Sequence, residues 1–173
     1  LSFINLENLY LTNYISYIFS IFWFVGITNA INWLDGMDGL AAGYTAITSL
    51  NLFIIFMAKG YEEGLLISLL TLATSLGFFI FNKKPALILM GDGGSYLLGI
   101  NLASLVTITG MNNDASFDLR LPLIILVYPI LDMIFVIALR LKARLSPFYP
   151  DKRHFHHRLL KLLKNDKKVV HLI

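Results

Sequence analysis

Amide and carboxylate side chains cluster where a long apolar stretch near the start of the chain ends. Asn29, Asn32, Asp35 and Asp38 follow one another at intervals of three, and Gly36 permits a tight turn or the close approach of a ligand. An unpaired aspartate at membrane depth costs about 2.5–3.5 kcal/mol, so these carboxylates are expected to face water, a cation or a ligand. An ordinary Asn/Asp/Gly loop between two helices is the alternative.

The second motif is a glycine-rich string, Met90-Gly91-Asp92-Gly93-Gly94-Ser95, which leads into another apolar stretch. Glycines before a helix leave backbone N–H groups free for an anion, and Asp92 offers a hard oxygen ligand for Mg²⁺. The string is not a Walker loop, because the Gly-Lys-Ser/Thr ending is missing. Taken alone, it is also compatible with a flexible turn.

The third motif is basic and contains three of the four histidines, namely His154, His156 and His157, between Arg153 and Arg158. A zinc site at these histidines is disfavoured, because the chain has no cysteine and the neighbouring cations would repel the ion. Arginine and histidine N–H groups suit the oxygens of a diphosphate. A basic segment that only touches anionic lipid is the alternative, although such a segment does not need clustered histidines.

Asp132 is a separate signal, because it lies within an apolar stretch with no polar residue nearer than Tyr128. An ionisable residue inside a membrane helix is a functional candidate by default. A structural role, accepting a hydrogen bond from another helix, is equally compatible with the sequence.

The elements that position these motifs must be membrane helices. The 173 residues are 57% hydrophobic, with a mean hydropathy of +0.70, more than a water-soluble core of this size could hide. We predict one all-α, polytopic membrane domain over 1–173, with about five complete transmembrane helices, the start of a sixth near Lys168, and a basic cytoplasmic loop at 140–168. The five predicted helices cover 14–31, 41–58, 64–81, 96–109 and 121–139.

The basic residues predict the orientation of these helices. Twelve of the 14 lysines and arginines fall after the third or the fifth predicted helix, and only Lys59 and Arg120 lie on the other side. Because basic loops mark the cytoplasmic side, segments 29–40, 82–95 and 140–168 are all placed there, and the three motifs share one face. The chain starts at Leu1 and stops in a new apolar run, so we expect it to continue at both ends.

Read together, the strings Asn32-x-x-Asp35-Gly-x-Asp38-Gly, Met90-Gly-Asp92-x-Gly-Ser95 and His154-x-His-His157 resemble the polyprenyl-phosphate N-acetylhexosamine-1-phosphate transferases, of the glycosyltransferase family 4 type. The resemblance implies that Asp35 is a catalytic aspartate and that Asp92 binds Mg²⁺, with Mn²⁺ as a substitute. Asn32 and the three histidines match active-site positions. The remaining matched positions are expected to bind substrate: Gly36, Asp38, Asn29, Ser95, Arg153 and Arg158.

The resemblance also implies a reaction and its partners. A polyprenyl phosphate oxygen attacks the phosphorus bonded to the sugar of a UDP-N-acetylhexosamine and releases UMP, either directly or through an aspartyl-phosphate. Such enzymes are multi-pass proteins of the bacterial inner membrane with a cytoplasmic active site. Partners are the two substrates and the lipid bilayer, a homodimer is left open, and no nucleic acid is expected.

The lead Ser146-Pro-Phe-Tyr-Pro-Asp151 before the histidines looks like the branch that uses UDP-N-acetylglucosamine. A muramyl-pentapeptide donor is the main alternative, and a transporter fragment is an alternative of a different class. The family also carries an Asp-Asp pair on an earlier loop, which is absent here. We therefore expect this segment alone to be inactive or nearly so.

Overall fold

The computed structural model describes residues 9–111, 117–147, 149 and 153–173. Every regular element in these ranges is an α-helix, apart from one isolated antiparallel bridge between Met111 and Phe117. The helices are α1 (Leu9–Leu34), α2 (Leu40–Lys59), α3 (Glu62–Asn82), α4 (Gly91–Gly110), α5 (Arg120–Ile125), α6 (Val127–Lys142), α7 (Phe155–Leu163) and α8 (Asp166–Leu172). The predicted all-α membrane bundle is confirmed.

Three helices are long and apolar enough to cross a bilayer by themselves: Tyr14–Leu34, Leu40–Lys59 and Glu62–Asn82. They match the first three predicted spans. Many large apolar side chains on their outer faces are exposed, such as Phe22, which is 74% exposed. That surface suits lipid rather than water. Within the described residues, α4 is long enough but less apolar, and the fifth predicted span is divided into two shorter helices.

The fourth span begins earlier than predicted. The glycine-rich string was expected to precede the helix, but α4 starts at Gly91, so Asp92, Gly94 and Ser95 lie in its first turns. Gly91 has a φ of +65°, a conformation that suits glycine and lets the chain turn directly into the helix. The first N–H groups of α4 therefore still point out of the helix at this end.

The predicted fifth span over 121–139 is wrong in its continuity. The helix breaks at Leu126, between α5 and α6. Pro129 explains the break, because it has no N–H to donate to the carbonyl of Ile125 four residues earlier, and its ring crowds that carbonyl. Leu126 still accepts from the N–H of Ile130 at 3.1 Å, so α6 resumes at once.

Glycine and small polar residues allow the helices to pack closely. A Cβ atom on Gly99 of α4 would lie 2.8 Å from Cα of Thr28 on α1, so only glycine fits at this crossing. The indole N–H of Trp23 donates to Oγ1 of Thr107 at 3.0 Å across the same pair of helices. The α2–α3 pair has buried hydroxyl residues on both members, as expected for helices that approach closely in a membrane. These residues are Thr45, Thr48, Ser49, Ser68, Thr71 and Ser75.

The segment 140–168 was predicted to be a loop, but it contains the helix α7. Basic residues recur there at every third position with pairs of leucines between them, and α7 is strongly amphipathic. The start of a sixth helix, expected near Lys168, corresponds to α8, which begins at Asp166. Asn165 accepts the Lys168 N–H at 3.1 Å and caps α8, and Val169 is fully buried.

Candidate active site

Asn32, near the end of α1, links two residues of the glycine-rich string. Its side-chain N–H groups donate to Oδ1 of Asp92 at 3.1 Å and to Oγ of Ser95 at 2.8 Å. Ser95 is fully buried and also donates to the carbonyl of Gly91 at 3.0 Å. This network lies one helical turn from the close contact of Gly99 with Thr28. The crossing of α1 and α4 therefore sets the position of the Asp92 carboxylate.

Asp35 lies beside the start of α4. Burial raises the pKa of its carboxyl group to about 6, against a hydrogen bond from the Gly91 N–H and with the negative charges of Asp92 and Asp38 adding to the rise. Asp35 is therefore close enough to be repelled by Asp38 of its own motif and by Asp92 of the glycine-rich string. Such a cluster attracts a cation or cationic groups of the protein.

A buried amide holds the two loops of this end of the bundle together. Asn82, the last residue of α3, accepts the Gly39 N–H at 3.0 Å and donates to the Ile88 carbonyl at 2.8 Å. Oδ2 of Asp38 accepts the Ala86 N–H at 3.2 Å. The loop after α1 and the loop after α3 therefore form one surface, which we call the site end.

The histidine segment returns along α6 to reach this region. Arg153 donates to the Leu139 carbonyl at 3.3 Å, near the end of α6. Nδ1 of His154 lies 2.8 Å from Oδ2 of Asp132, and the Phe155 N–H donates to Oδ1 of Asp132 at 2.6 Å. Asp132 is 5% exposed, so its carboxylate is buried and both oxygens are engaged.

Aromatic contacts connect the histidine segment to α1. The His154 ring meets the Trp33 indole edge-on, with ring centroids 5.3 Å apart. The Arg140 guanidinium lies 4.7 Å from the centre of the Trp33 ring and also donates to the Pro147 carbonyl. Trp33 follows Asn32 directly, so His154 lies next to the helix that carries the Asn32 network.

His156 is fully buried against the loop that contains Gly36. A Cβ atom on Gly36 would lie 2.9 Å from Nε2 of His156 and 3.6 Å from Nε2 of His157. Neither ring nitrogen of His156 has a hydrogen-bond partner within the described part of the chain. Burial, together with the neighbouring His157 and His154, lowers the pKa of His156 to about 4, so its ring is neutral near pH 7.

Two other predicted substrate residues point elsewhere. The Asn29 side chain donates to the Val25 carbonyl of its own helix at 2.8 Å. The Arg158 guanidinium lies 5.1 Å from the centre of the Phe135 ring on α6. The structure therefore brings Asn32, Asp92 and Ser95 together, but it does not direct Asn29 or Arg158 towards that group.

One cavity of about 380 Å³ borders the site end and is lined by Asp38 and by three cations, Lys83, Lys84 and Lys167, with Lys84 paired to Asp166. Another, of about 440 Å³, is mostly apolar and lies between α6 and the first turn of α7, with Asp132 and Arg158 in its wall.

The carboxylates fit a magnesium ion that is shared with a substrate. Within the described part of the chain, no three His, Asp or Glu side chains are grouped closely enough to form a complete metal site. Mg²⁺ is usually held by one or two carboxylates together with substrate phosphates and water, rather than by an all-protein cage. Asp92 is exposed at the start of α4 and Asp35 lies nearby, which is the donor set that this kind of binding requires.

The sequence did not identify Asn82 or Trp33 as site residues. Asn82 could have been noticed as a carboxamide at the end of an apolar helix, a position where amides often bond to loop backbone. Asp132 was noticed, but nothing in the sequence tied it to His154, because the pairing depends on the return of the chain along α6.

Curated proteins with similar sequences carry related names. The chain is 40% identical over 148 residues to a "Probable undecaprenyl-phosphate N-acetylglucosaminyl 1-phosphate transferase" of Bacillus subtilis (strain 168), covering 85% of this chain and 41% of that protein. It is 36% identical over 168 residues to the "Decaprenyl-phosphate N-acetylglucosaminephosphotransferase" of Mycobacterium leprae (strain TN), covering 86% and 42%.

A shorter match of 91 residues, at 44% identity, is to the "Phospho-N-acetylmuramoyl-pentapeptide-transferase" of Limosilactobacillus fermentum, covering 53% of this chain and 28% of that protein. The chain thus spans about two fifths of the length of the first two relatives. The model of glycosyl transferase family 4 matches residues 1–110, which include the Asn32–Asp38 motif and the whole of α4. On this match, and with both motifs joined in one hydrogen-bonded network, the chain belongs to glycosyl transferase family 4.

Proposed function

We propose that this chain forms the metal and diphosphate region of an enzyme that transfers N-acetylglucosamine 1-phosphate from UDP-N-acetylglucosamine to a polyprenyl phosphate and releases UMP. The names of the relatives support the reaction class. The observation that carries the proposal is the network in which Asn32 bonds to both Asp92 and Ser95, next to Asp35. It fits a phosphoryl transfer, in which positioning and charge neutralisation supply most of the catalysis.

The proposed cofactor is Mg²⁺, for which Mn²⁺ can substitute, held by Asp92 with the diphosphate of the donor completing its coordination. When bound, the ion offsets negative charge on the diphosphate and on the departing UMP. Asn32 fixes the Asp92 carboxylate by the 3.1 Å hydrogen bond, so that the ligand is already oriented before the substrate arrives.

Other groups at the site end suit the remaining charge and the sugar. The first turn of α4 presents N–H groups and the positive end of the helix dipole to an anion. His156 has two buried ring nitrogens without a partner among the described residues, and a buried polar group of this kind usually meets a ligand or water. A phosphate or sugar hydroxyl is the proposed partner.

The N-acetylglucosamine donor is proposed over the muramyl-pentapeptide donor because the matched region is longer. The relatives named for N-acetylglucosamine align with 85% and 86% of this chain, against 53% for the muramoyl-pentapeptide relative. We further propose a cytoplasmic site end in the bacterial inner membrane, from the distribution of basic residues. The homodimer stays a prediction. Because the relatives are more than twice as long, we propose that turnover needs more than this segment.

The experiment is an Asp92→Asn substitution in the full-length protein, assayed by UMP release over a Mg²⁺ titration. We expect turnover at limiting Mg²⁺ to fall by about 100-fold or more, since even residues that only support a metal ligand change affinity by about 10–100-fold. Asp118→Asn is the matched control, because Asp118 is a partly exposed aspartate paired with Arg120 at the opposite end of α4. Wild-type turnover by Asp92→Asn at limiting Mg²⁺ would contradict the proposal.

A further inference from the structure

Asp132 is a buried carboxylate, and within the described residues its two hydrogen bonds both go to the histidine segment. Oδ2 lies 2.8 Å from Nδ1 of His154, and Oδ1 accepts the Phe155 N–H at 2.6 Å. Burying a carboxylate costs free energy unless the group is well hydrogen-bonded, and removing one of its partners destabilises the fold strongly. The carboxylate therefore holds two consecutive residues of another segment in one geometry.

The first of these bonds fixes the chemical form of His154. A carboxylate only accepts hydrogen bonds, so Nδ1 of His154 must carry the proton that is donated to Asp132. The other ring nitrogen, Nε2, is then the atom left for the site. The ring is 6% exposed and rests edge-on against Trp33 at 5.3 Å, so it cannot turn over without leaving its packing.

The second bond fixes where α7 begins. His154 is the residue before α7, and its side chain makes no capping bond to the helix. Asp132 takes over this function, because its Oδ1 accepts the N–H of Phe155, the first residue of α7. His156 and His157 lie in the first turn of α7, so the same carboxylate also fixes their position along the axis of α6.

We propose that Asp132 is a positioning residue for the transfer reaction, acting through His154. It holds His154 as the Nδ1–H form with Nε2 directed away from α6, and it fixes the first turn of α7 that carries the other two histidines. This inference rests on the proposed function, since the histidines matter for turnover only if the transferase assignment is correct.

The test uses the full-length protein in detergent micelles with ¹⁵N-labelled histidine. In the wild type, we expect the His154 signals, assigned by their loss in His154→Gln, to show a protonated Nδ1. Asp132→Asn keeps the size and the acceptor for Phe155, but its amide N–H₂ must donate to Nδ1 and so moves the proton to Nε2. We expect this shift together with a fall in kcat of about 100-fold or more at nearly constant KM for the UDP-sugar.

Tyr128→Phe is the matched control, because Tyr128 lies one turn before Asp132 on α6 and its hydroxyl has no hydrogen-bond partner within the described residues. We expect its histidine signals and kcat to match the wild type. A wild-type His154 that carries its proton on Nε2 would overturn the inference without any variant. So would Asp132→Asn with a shifted proton and an unchanged kcat.

A purely structural role for Asp132 predicts a different pattern, namely a lower thermal midpoint with unchanged kcat per folded molecule, and that result would also overturn the inference. The proposed function can fail separately. If the wild type releases no UMP while its Nδ1 proton depends on Asp132, the transferase assignment is wrong, together with any positioning role in that reaction.

Discussion

Asp35 lies in the site end and His156 packs against it at Gly36, yet burial shifts their pKa values in opposite directions. It raises the pKa of Asp35 to about 6 and lowers that of His156 to about 4. Both shifts favour the neutral form, which is the direction that removal from water produces for any ionisable group. Near pH 7 the site therefore combines an ionised Asp35 with a neutral His156.

The lowered pKa of His156 predicts a pH-dependent stability. Because the unfolded histidine binds protons more readily than the folded one, the stability from neutral His156 is present above about pH 6.5 and is lost towards pH 4, by roughly 3 kcal/mol. His154 and His157 favour this loss and Asp132 opposes it. The raised pKa of Asp35 acts in the opposite sense over an overlapping range, so only a comparison with a variant isolates the His156 contribution.

The variant is His156→Leu in the full-length protein, with the thermal midpoint in detergent measured from pH 7 to pH 4. We expect the wild type to lose more stability than His156→Leu on acidification. Parallel pH curves for the two proteins would show that His156 is not protected from protonation.

The crossing of α1 and α4 is the element that assembles the site. The backbones of Gly99 and Thr28 are in close contact. One helical turn further, the Asn32 side chain donates hydrogen bonds to Ser95 and Asp92. Membrane helices commonly use small residues for such contacts, because lipid offers no hydrophobic drive to hold them together. The close contact at Gly99 thus brings the two helices near enough for the Asn32 side chain to form its hydrogen bonds one turn away.

Gly99→Ala should separate the two helices, since the added Cβ would meet the Thr28 backbone at 2.8 Å. Forced overpacking of this kind typically costs about 1–3 kcal/mol. We expect a lower thermal midpoint and a reduced rate of UMP release in the full-length protein. Gly77→Ala in α3 is the control, because its Cβ would have no neighbour within 4 Å. Equal stability of the two variants would mean that the α1–α4 contact is looser than the structure indicates.

The sequence predicted the elements better than their ends. Apolar length was enough for α1, α2 and α3, but the start of α4 depended on a positive φ at Gly91, and the break at Leu126 depended on Pro129 within an otherwise suitable stretch. The site motifs were recognisable from residue type and spacing. The bond between Asp132 and His154 was not, because it joins residues 22 positions apart through a turn that no local pattern defines.

At the scale of the whole molecule, the candidate site residues are concentrated at one end of a bundle whose sides suit lipid. The loops after α1 and α3 are joined by Asn82, and the segment after α6 folds back onto the same region. Most of the basic residues lie at the same end, and this distribution predicts that the end faces the cytoplasm.

Cysteine labelling tests this orientation conveniently, since the chain has no cysteine of its own. Glu63→Cys lies in the first turn of α3, away from the site end, and Leu162→Cys lies on the exposed side of α7. In intact cells of a single-membrane bacterium, a membrane-impermeant maleimide should label Glu63→Cys and reach Leu162→Cys only after the cells are opened. The reverse pattern would invert the predicted topology.

Because the chain returns along α6, the positions of the histidines do not depend on the length of the segment that precedes them. Asp132 lies about 15 Å before the end of α6, and the chain leaves that end at Ala143 and comes back to α6 at Arg153 and His154. Both ends of the intervening loop are therefore held by one rigid element. Doubling the length of such a loop costs only about 0.6 kcal/mol of closure entropy. The chain between residues 143 and 153 can therefore be lengthened at little cost while the histidines keep their positions along α6.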